Sequence, residues 1–274
     1  MLESSSSVSS KSTVDPSVLR TQYGDDQRLA ARQRLWQNGP PLIDRVLELA
    51  AIPSAAAVLD VGCGNGRYLS ALRERGHTGP LAGLDYSPGM ALVARAFAPT
   101  AVGDAQALPV RDGVADIAIC AHMLYHVPDL PRAAGELRRV LRPGGSAVVV
   151  TNGPNHTAES TALLERSLRE VTGVTVQVDL SGRRFLPDVA LSVLEPVFDE
   201  VEVVRAGGPV TVPSAEIVAD YLGSIAPEVA GLSDGPLWTS VLARARELVV
   251  EHVDRHGPFV VTSDTAVLIG RCSP

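Results

Sequence analysis

Three glycines at alternate positions, Gly62, Gly64 and Gly66, follow an apolar segment that contains Asp60. Glycine lets the backbone turn sharply and approach a ligand closely, so this spacing predicts a ligand-binding loop. A second carboxylate, Asp85, ends another apolar segment 23 residues after Gly62. An acidic group at that position can bind the hydroxyls of a ribose. These residues together indicate a site for a ribose-containing ligand.

The spacing of the glycines distinguishes two kinds of ribose-containing ligand. A dinucleotide site requires the pattern G-x-G-x-x-G, with the pyrophosphate on the helix that follows. Here the position of the third glycine is Arg67, and the carboxylate of Asp60 would repel a pyrophosphate but attract a cation. A ligand with an ammonium, a sulfonium and a ribose fits better, and S-adenosylmethionine is such a ligand. An NAD-dependent oxidoreductase is the alternative from another class.

The elements that would position these residues alternate along the chain. Apolar runs predict strands at 57–61, 81–85, 100–102, 116–120 and 147–150, and helical spacing predicts helices at 67–75, 88–97 and 131–141. Arg142-Pro143-Gly144-Gly145 ends the last helix. Strands that alternate with helices form a parallel sheet with right-handed crossovers, so the predicted fold is a doubly wound α/β domain.

The regions on either side of this core differ from it in pattern. Residues 1–14 contain seven serines and are predicted to be a disordered tail. Residues 25–51 have helical spacing with a break at 39–41, which predicts an N-terminal helical cap. Late in the chain, two further strands are predicted at 201–204 and 266–269. The helical insertion between these strands, at 214–256, is predicted to cover a pocket.

Five ordered motifs carry a resemblance to a known family. They are 58–66 (VLDVGCGNG), 83–90 (GLDYSPGM), 103–109 (GDAQALP), 121–127 (AHMLYHV) and 141–145 (LRPGG). Over about residues 56–151 the chain resembles the class I S-adenosylmethionine-dependent methyltransferases, and most of all the small-molecule enzymes of the ubiquinone and menaquinone type. The resemblance implies a seven-stranded, mostly parallel sheet. It also implies one domain over 15–274, with its core at about 52–151 and the cap and insertion at about 15–51 and 152–260.

The resemblance also assigns roles to individual residues. It implies that Asp85 binds the ribose and that Asp104 contacts the adenine, although Asp85 could instead cap a helix and Asp104 could belong to a turn. The full set of cofactor-binding residues that it implies is Asp60, Gly62, Gly64, Gly66, Asp85, Tyr86, Met90, Asp104, Ala105 and Ala121. Two residues are predicted to be catalytic, namely His126, near the transferred methyl group, and Tyr23, in the cap.

Several other residues have a structural interpretation beside the functional one. His126 could act as a base or could only pack at the floor of the pocket. His122 lies four residues before it, a spacing that can bind a metal on a helix, but no third ligand is evident and no metal is predicted. His156 and Glu159 follow the fifth strand at the expected mouth of the pocket. Tyr221 is expected in the pocket lining or in the core, and Cys63 is expected only to pack.

Composition limits the function further. The net charge is −7 and there is no basic run, which argues against a nucleic-acid partner. The only lysine, Lys11, lies in the serine-rich tail, so Schiff-base chemistry is not predicted. Three widely spaced cysteines and the lack of a long apolar run indicate a cytoplasmic protein away from the membrane. The sequence leaves open the oligomeric state and the methyl acceptor, and a non-catalytic protein that binds S-adenosylmethionine remains an alternative.

Overall fold

A seven-stranded sheet runs through the molecule in a computed structural model that describes residues 27–178, 183–225 and 227–274. The strands are β1 Val58–Val61, β2 Leu81–Asp85, β3 Thr100–Val102, β4 Ala115–Ala121, β5 Leu141–Asn152, β6 Glu200–Val212 and β7 Phe259–Arg271. Their spatial order is β3-β2-β1-β4-β5-β7-β6. The first five strands are parallel, whereas β7 is antiparallel to both β5 and β6. The predicted sheet is confirmed, and the tail at 1–14 lies outside the described residues.

Helices cover both faces of this sheet. They are α1 Gln27–Leu35, α2 Leu42–Ala50, α3 Arg67–Glu74, α4 Pro88–Ala94, α5 Leu130–Val140, α6 Ala158–Thr172, α7 Pro187–Leu194, α8 Ala215–Gly223 and α9 Pro236–His256. Buried side chains of α5 and α7 pack on one face of the sheet. Those of α2 and α3 pack on the other face. The sheet is therefore the middle layer of three, which explains why its central strands are apolar on both faces.

The central strands show how the sequence forms these layers. All four residues of β1 are buried. Side chains alternate between the two faces of a strand, so Leu59 and Val61 join one core while Val58 joins the other. Asp60 has the same parity as Val58 and therefore lies on the face that α3 covers. A carboxylate in this position is buried, and its surroundings are described with the site below.

The structure differs from the sequence-based expectation mainly in its last third. β6 and β7 pair over thirteen residues each, far beyond the predicted segments at 201–204 and 266–269. The strand β5 also begins earlier than predicted, because residues 141–145 continue it through a shift in register against β4. The helices α6 and α7 were not predicted. The predicted helical region at 25–51 consists of α1 and α2, with the expected break between them.

The helical insertion between β6 and β7 has a hydrophobic core of its own. Tyr221 from α8 and Trp238 from α9 pack there with Leu164 from α6 and Leu35 from α1. The insertion is thereby joined to the first described helix. Within the described residues, no helix is long and apolar enough to cross a membrane.

Candidate functional site

The carboxyl ends of β1, β2, β4 and β5 lie along one edge of the sheet, and the glycine loop follows β1 at this edge. Gly62, Gly64 and Gly66 have φ angles of +72°, +54° and +84°. Residues with a side chain rarely adopt this left-handed conformation, which explains the three glycines. The backbone N–H groups of Gly62 and Cys63 donate to the carbonyl of Leu84 at 2.7 and 3.0 Å. These hydrogen bonds hold the loop at the end of β2, the neighbouring strand.

Asp85 connects the loop to the second strand more directly. Its Oδ2 accepts a hydrogen bond from the backbone N–H of Gly64 at 2.8 Å, and its Oδ1 accepts one from Ser87 N–H at 2.8 Å. Burial raises the pKa of Asp85, and these two bonds oppose the shift. The next turn then begins α4, where Ser87 caps the helix by accepting from Met90 N–H at 3.3 Å.

Asp60 is the most deeply buried carboxylate at this edge. It is only 2% exposed, and its Oδ2 has no hydrogen-bond partner among the described residues. Burial, with a smaller contribution from the charge of Asp85, raises the pKa of Asp60 to about 8. A buried acceptor without a partner is costly unless a ligand or water supplies a donor or a positive charge. A sulfonium or ammonium group fits this requirement, so the residues present are compatible with S-adenosylmethionine.

The other residues assigned to the cofactor lie at the ends of β2, β3 and β4. Tyr86 is 61% exposed beside Asp85, whereas the side chain of Met90, in the first turn of α4, is buried. The carboxylate of Asp104 accepts from the backbone N–H of Gln106 at 2.8 Å, which matches its alternative interpretation as a turn residue. The next residue, Ala105, is buried, and Ala121 is the last residue of β4.

Met123 packs closely against the glycine loop, and Cys63 is buried within it. A Cβ atom on Gly62 would lie 2.6 Å from Cγ of Met123, so only glycine allows this methionine so near. Cys63 is buried, and burial raises the pKa of its thiol well above the usual range. The thiol therefore stays protonated, in agreement with the expectation that Cys63 only packs.

The helix α1 lies over the same loop. A Cβ atom on Gly64 would contact Cδ2 of Leu29 at 3.4 Å. The side-chain amides of Gln33 and Asn65 exchange two hydrogen bonds, each 3.1 Å long. The sequence predicted a helical cap but gave no signal for this amide pair. Tyr23, the predicted catalytic residue of the cap, lies outside the described residues.

His126 lies in a short 3₁₀ turn after β4. Its backbone N–H donates to the carbonyl of Met123 at 2.9 Å, and its ring packs edge-on against Tyr125 with centroids 4.4 Å apart. His122 lies before this turn, so His122 and His126 do not share a helix. Their four-residue spacing therefore does not form the metal-binding arrangement that it can form on a helix. Within the described residues there is no group of three metal-ligating side chains.

Glu159 and Tyr221, which were also singled out from the sequence, have structural roles. Both carboxylate oxygens of Glu159 accept hydrogen bonds from Thr262, at 2.8 Å from its N–H and 2.6 Å from its hydroxyl. Glu159 therefore joins α6 to β7. Tyr221 is 5% exposed in the core of the insertion. His156 is buried as well, and its ring lies 4.9 Å from the ring of Trp36, a residue that the sequence analysis did not select.

Comparisons with known proteins agree with this geometry. Residues 59–149 match the family described as "Methyltransferase domain". The malonyl-[acyl-carrier protein] O-methyltransferase of Serratia marcescens is 34% identical over 151 residues, which are 53% of this chain and 53% of that protein. The 23S rRNA (guanine(748)-N(1))-methyltransferase of Streptomyces fradiae is 36% identical over 141 residues, or 48% of each protein. The chain thus spans about half the length of these curated relatives.

A solved structure shows the same fold over more of the chain. The phosphoethanolamine N-methyltransferase 2 of Haemonchus contortus, in complex with phosphomonomethylethanolamine and S-adenosylhomocysteine, aligns with a TM-score of 0.57 at 16% identity. The alignment covers 96% of this chain and 61% of that one. The likeness therefore includes the cap and the insertion as well as the central sheet.

Proposed function

We propose that this chain, whose residues 59–149 match the family described as "Methyltransferase domain", is a class I S-adenosylmethionine-dependent methyltransferase that transfers the methyl group of that cofactor to a small molecule. The buried carboxylate of Asp60 supports this most directly, because its unpartnered Oδ2 requires a donor or a cation beside the glycine loop. The sulfonium of the bound cofactor supplies a methyl group that is already activated. The family match supports the methyltransferase assignment over that of an NAD-dependent oxidoreductase.

The proposed contacts of the cofactor follow the strand ends. Asp60 faces its cationic part, Asp85 binds the ribose hydroxyls, and Asp104 contacts the adenine. The other proposed contacts are Gly62, Gly64, Gly66, Tyr86, Met90, Ala105 and Ala121.

The protein then has two main tasks, to align the acceptor with the methyl group and to exclude water. Leu29 and Gln33 of α1 cover the glycine loop, and Met123 packs on it from the side of β4. Such cover suits a reaction that water would compromise. A general base is needed only if the acceptor arrives protonated.

His126 and Tyr23 are the proposed catalytic residues. His126 follows β4, where the family places the methyl group within reach, and Tyr23 is proposed from its place in the predicted cap. The packing of the His126 ring on Tyr125 favours a structural role for that histidine. Measurements on a His126 variant, described in the Discussion, distinguish the two roles.

A small molecule is favoured over a nucleic acid as the acceptor. The chain has a net charge of −7 and one lysine, whereas nucleic-acid affinity depends mainly on cations that neutralise phosphates. Several arginines are also occupied by carboxylates, since Arg139 pairs with Glu136 and Arg244 pairs with Glu170, each at 2.7 Å. Because one relative is named for rRNA methylation, an RNA acceptor is included in the test below.

Two measurements on the purified chain test the proposal. Calorimetry compares the binding of S-adenosylhomocysteine with that of NAD, and only the former is expected to bind. Transfer of a radiolabelled methyl group is then measured with a small-molecule extract and with total RNA. Label in the small molecules supports the proposal, and label only in RNA identifies a nucleic-acid methyltransferase. Cofactor binding without any transfer would indicate the non-catalytic alternative.

A further inference from the structure

Three aromatic side chains form a cluster beside the glycine loop, at the ends of β4 and β5. The rings of Trp36 and His156 lie with centroids 4.9 Å apart and planes tilted by 32°. His122 follows β4 directly, and its side chain is hydrogen-bonded to that of Asn152, the last residue of β5. His122 is near enough to His156 that a positive charge on either ring disfavours a charge on the other.

Contacts at both ends place this cluster next to the cofactor loop. Met123, the neighbour of His122, packs on Gly62. Gln33, one turn before Trp36, is bonded to Asn65 in the same loop. Adjacent strands lie about 4.8 Å apart, so the end of β4 is one strand spacing from the end of β1. The cluster therefore lies on the side of the loop towards β4 and β5.

The orientation of His156 fixes which of its nitrogens can bind a ligand. Its Nδ1 lies 3.1 Å from the carbonyl oxygen of Asp264. A carbonyl oxygen only accepts, so Nδ1 carries the proton and Nε2 keeps its lone pair. The same carbonyl also accepts from the N–H of Gly153 at 2.8 Å, and the carboxylate of Asp264 is held by Arg205 at 3.0 Å. The imidazole is thus held in one tautomer.

We propose that Trp36, His122 and His156 form the acceptor subsite, and that it takes an uncharged aromatic molecule whose hydroxyl donates to Nε2 of His156. This inference rests on the proposed methyl transfer and names its class of substrate. Trp36 is partly exposed, so its indole ring can contact a planar molecule beside His156. A carboxylate has no proton to donate to Nε2.

The protonation of the two histidines agrees with an uncharged ligand. Burial lowers the pKa of His122 to about 4 and that of His156 to about 3. Both imidazoles are therefore neutral near pH 7 and offer no positive charge to an anion. His156 acts here as a positioning residue, because it orients the hydroxyl through a hydrogen bond.

Histidine signals in ¹⁵N NMR spectra provide the test. The full chain, labelled at its histidines and saturated with S-adenosylhomocysteine, is titrated with 4-hydroxybenzamide, benzoate or benzylamine. These probes are a neutral phenol, an anion without a hydroxyl, and a cation. We expect 4-hydroxybenzamide alone to move the Nε2 signal of His156, which is assigned by its absence from His156→Phe. A signal that moves with benzoate or benzylamine instead, or with none of the three, overturns the proposal.

Matched variants separate a ligand contact from a packing effect. His156→Phe keeps an aromatic ring beside Trp36 but removes the lone pair, so 4-hydroxybenzamide should bind up to about tenfold more weakly, as for one lost hydrogen bond. His156→Gln restores an accepting oxygen and should recover part of the affinity. His77→Phe is the control, because His77 is also buried and bonded to a backbone carbonyl, that of Ala56 at 2.9 Å.

The outcomes distinguish this inference from the proposed function. S-adenosylhomocysteine should bind all three variants within about twofold of the original chain, since no cofactor contact is changed. If it binds the original chain but 4-hydroxybenzamide binds His156→Phe undiminished, the subsite is wrong while the cofactor assignment stands. If S-adenosylhomocysteine does not bind the original chain, the proposed function itself fails.

Discussion

Replacing Asp85 by alanine tests the cofactor site where its geometry is best defined. The carboxylate holds the N–H groups of Gly64 and Ser87 at 2.8 Å each, one on each oxygen. Each oxygen keeps a second lone pair, which remains available to a ribose hydroxyl. The substitution therefore removes both the hydrogen bond that holds Gly64 of the glycine loop and the proposed ribose contacts.

The size of the effect follows from these hydrogen bonds. A hydrogen bond to a charged group contributes about 1.5–3 kcal/mol, so losing the ribose contacts should weaken S-adenosylhomocysteine binding about 10- to 150-fold. The loss of the two backbone bonds should lower stability as well. For a domain of this size, each 1 kcal/mol of lost stability lowers Tm by about 2–4 °C.

Calorimetry and thermal unfolding are measured side by side, with Asp116→Ala as the control. Asp116 also accepts a backbone N–H, that of Ala57 at 2.7 Å, and pairs with Arg142 at 2.7 Å. It lies at the amino end of β4, on the opposite edge of the sheet. The control should therefore lose stability without losing affinity. If Asp85→Ala also lowers only Tm, with affinity within about twofold, Asp85 merely supports the loop and the ribose assignment is refuted.

Three further predictions concern the same edge of the sheet. Gly64→Val should abolish S-adenosylhomocysteine binding in calorimetry and should lower stability by about 1–2 kcal/mol. Gly113→Val is the control, because Gly113 has a similar φ of +58° but open space around it, and this variant should lose only stability. Burial raises the pKa of Asp60 from 3.8 to about 8. Between these two pH values the folded, ligand-free chain holds a proton that the unfolded chain has released. The free energy of unfolding should therefore fall as the pH rises from about 4 to about 8. In urea unfolding between pH 6.5 and 8, Asp60→Asn should remove a slope on the order of 1 kcal/mol per pH unit. Both proteins share the contribution of the buried histidines, so the difference between their slopes reports Asp60, and equal slopes would contradict the raised pKa. His126→Gln should lower turnover about 10²–10⁴-fold if His126 is a base, but should reduce mainly Tm if it only packs, which is the result we expect.

The strands β1, β2 and β4 could be predicted because they are largely buried on both faces, and an apolar run of this kind needs no partner to be recognised. Segment 81–85 matches β2 to the residue. Segment 100–102 also matches β3, although this edge strand is mostly exposed. The long strands β6 and β7 were mostly missed. β6 alternates between exposed and partly buried residues and contains Gly207 and Gly208, so its length depends on pairing with β7 rather than on local propensity.

The cofactor side of the site could likewise be read from the sequence, because its glycines and carboxylates lie within motifs. The proposed acceptor side could not be read in this way. Trp36 and His156 are 120 residues apart in the chain and meet only when α1 packs beside the loop after β5. The sequence placed Glu159 at the expected mouth of the pocket. In the structure its carboxylate accepts hydrogen bonds from Thr262 and so holds α6 against β7. Such contacts depend on tertiary packing, which leaves no periodic pattern and no motif spacing in a single sequence.

The position of β7 between β5 and β6 has a consequence for the order of folding. On a ribosome, β1 to β5 and then β6 emerge well before residues 259–271, so β5 lacks its neighbour on that side until β7 has been made. An unpaired strand edge is a route to aggregation, and contacts between residues far apart in sequence form slowly. Synthesis that stops before β7 should therefore yield a product that depends on chaperones, even though it contains every residue of the glycine loop.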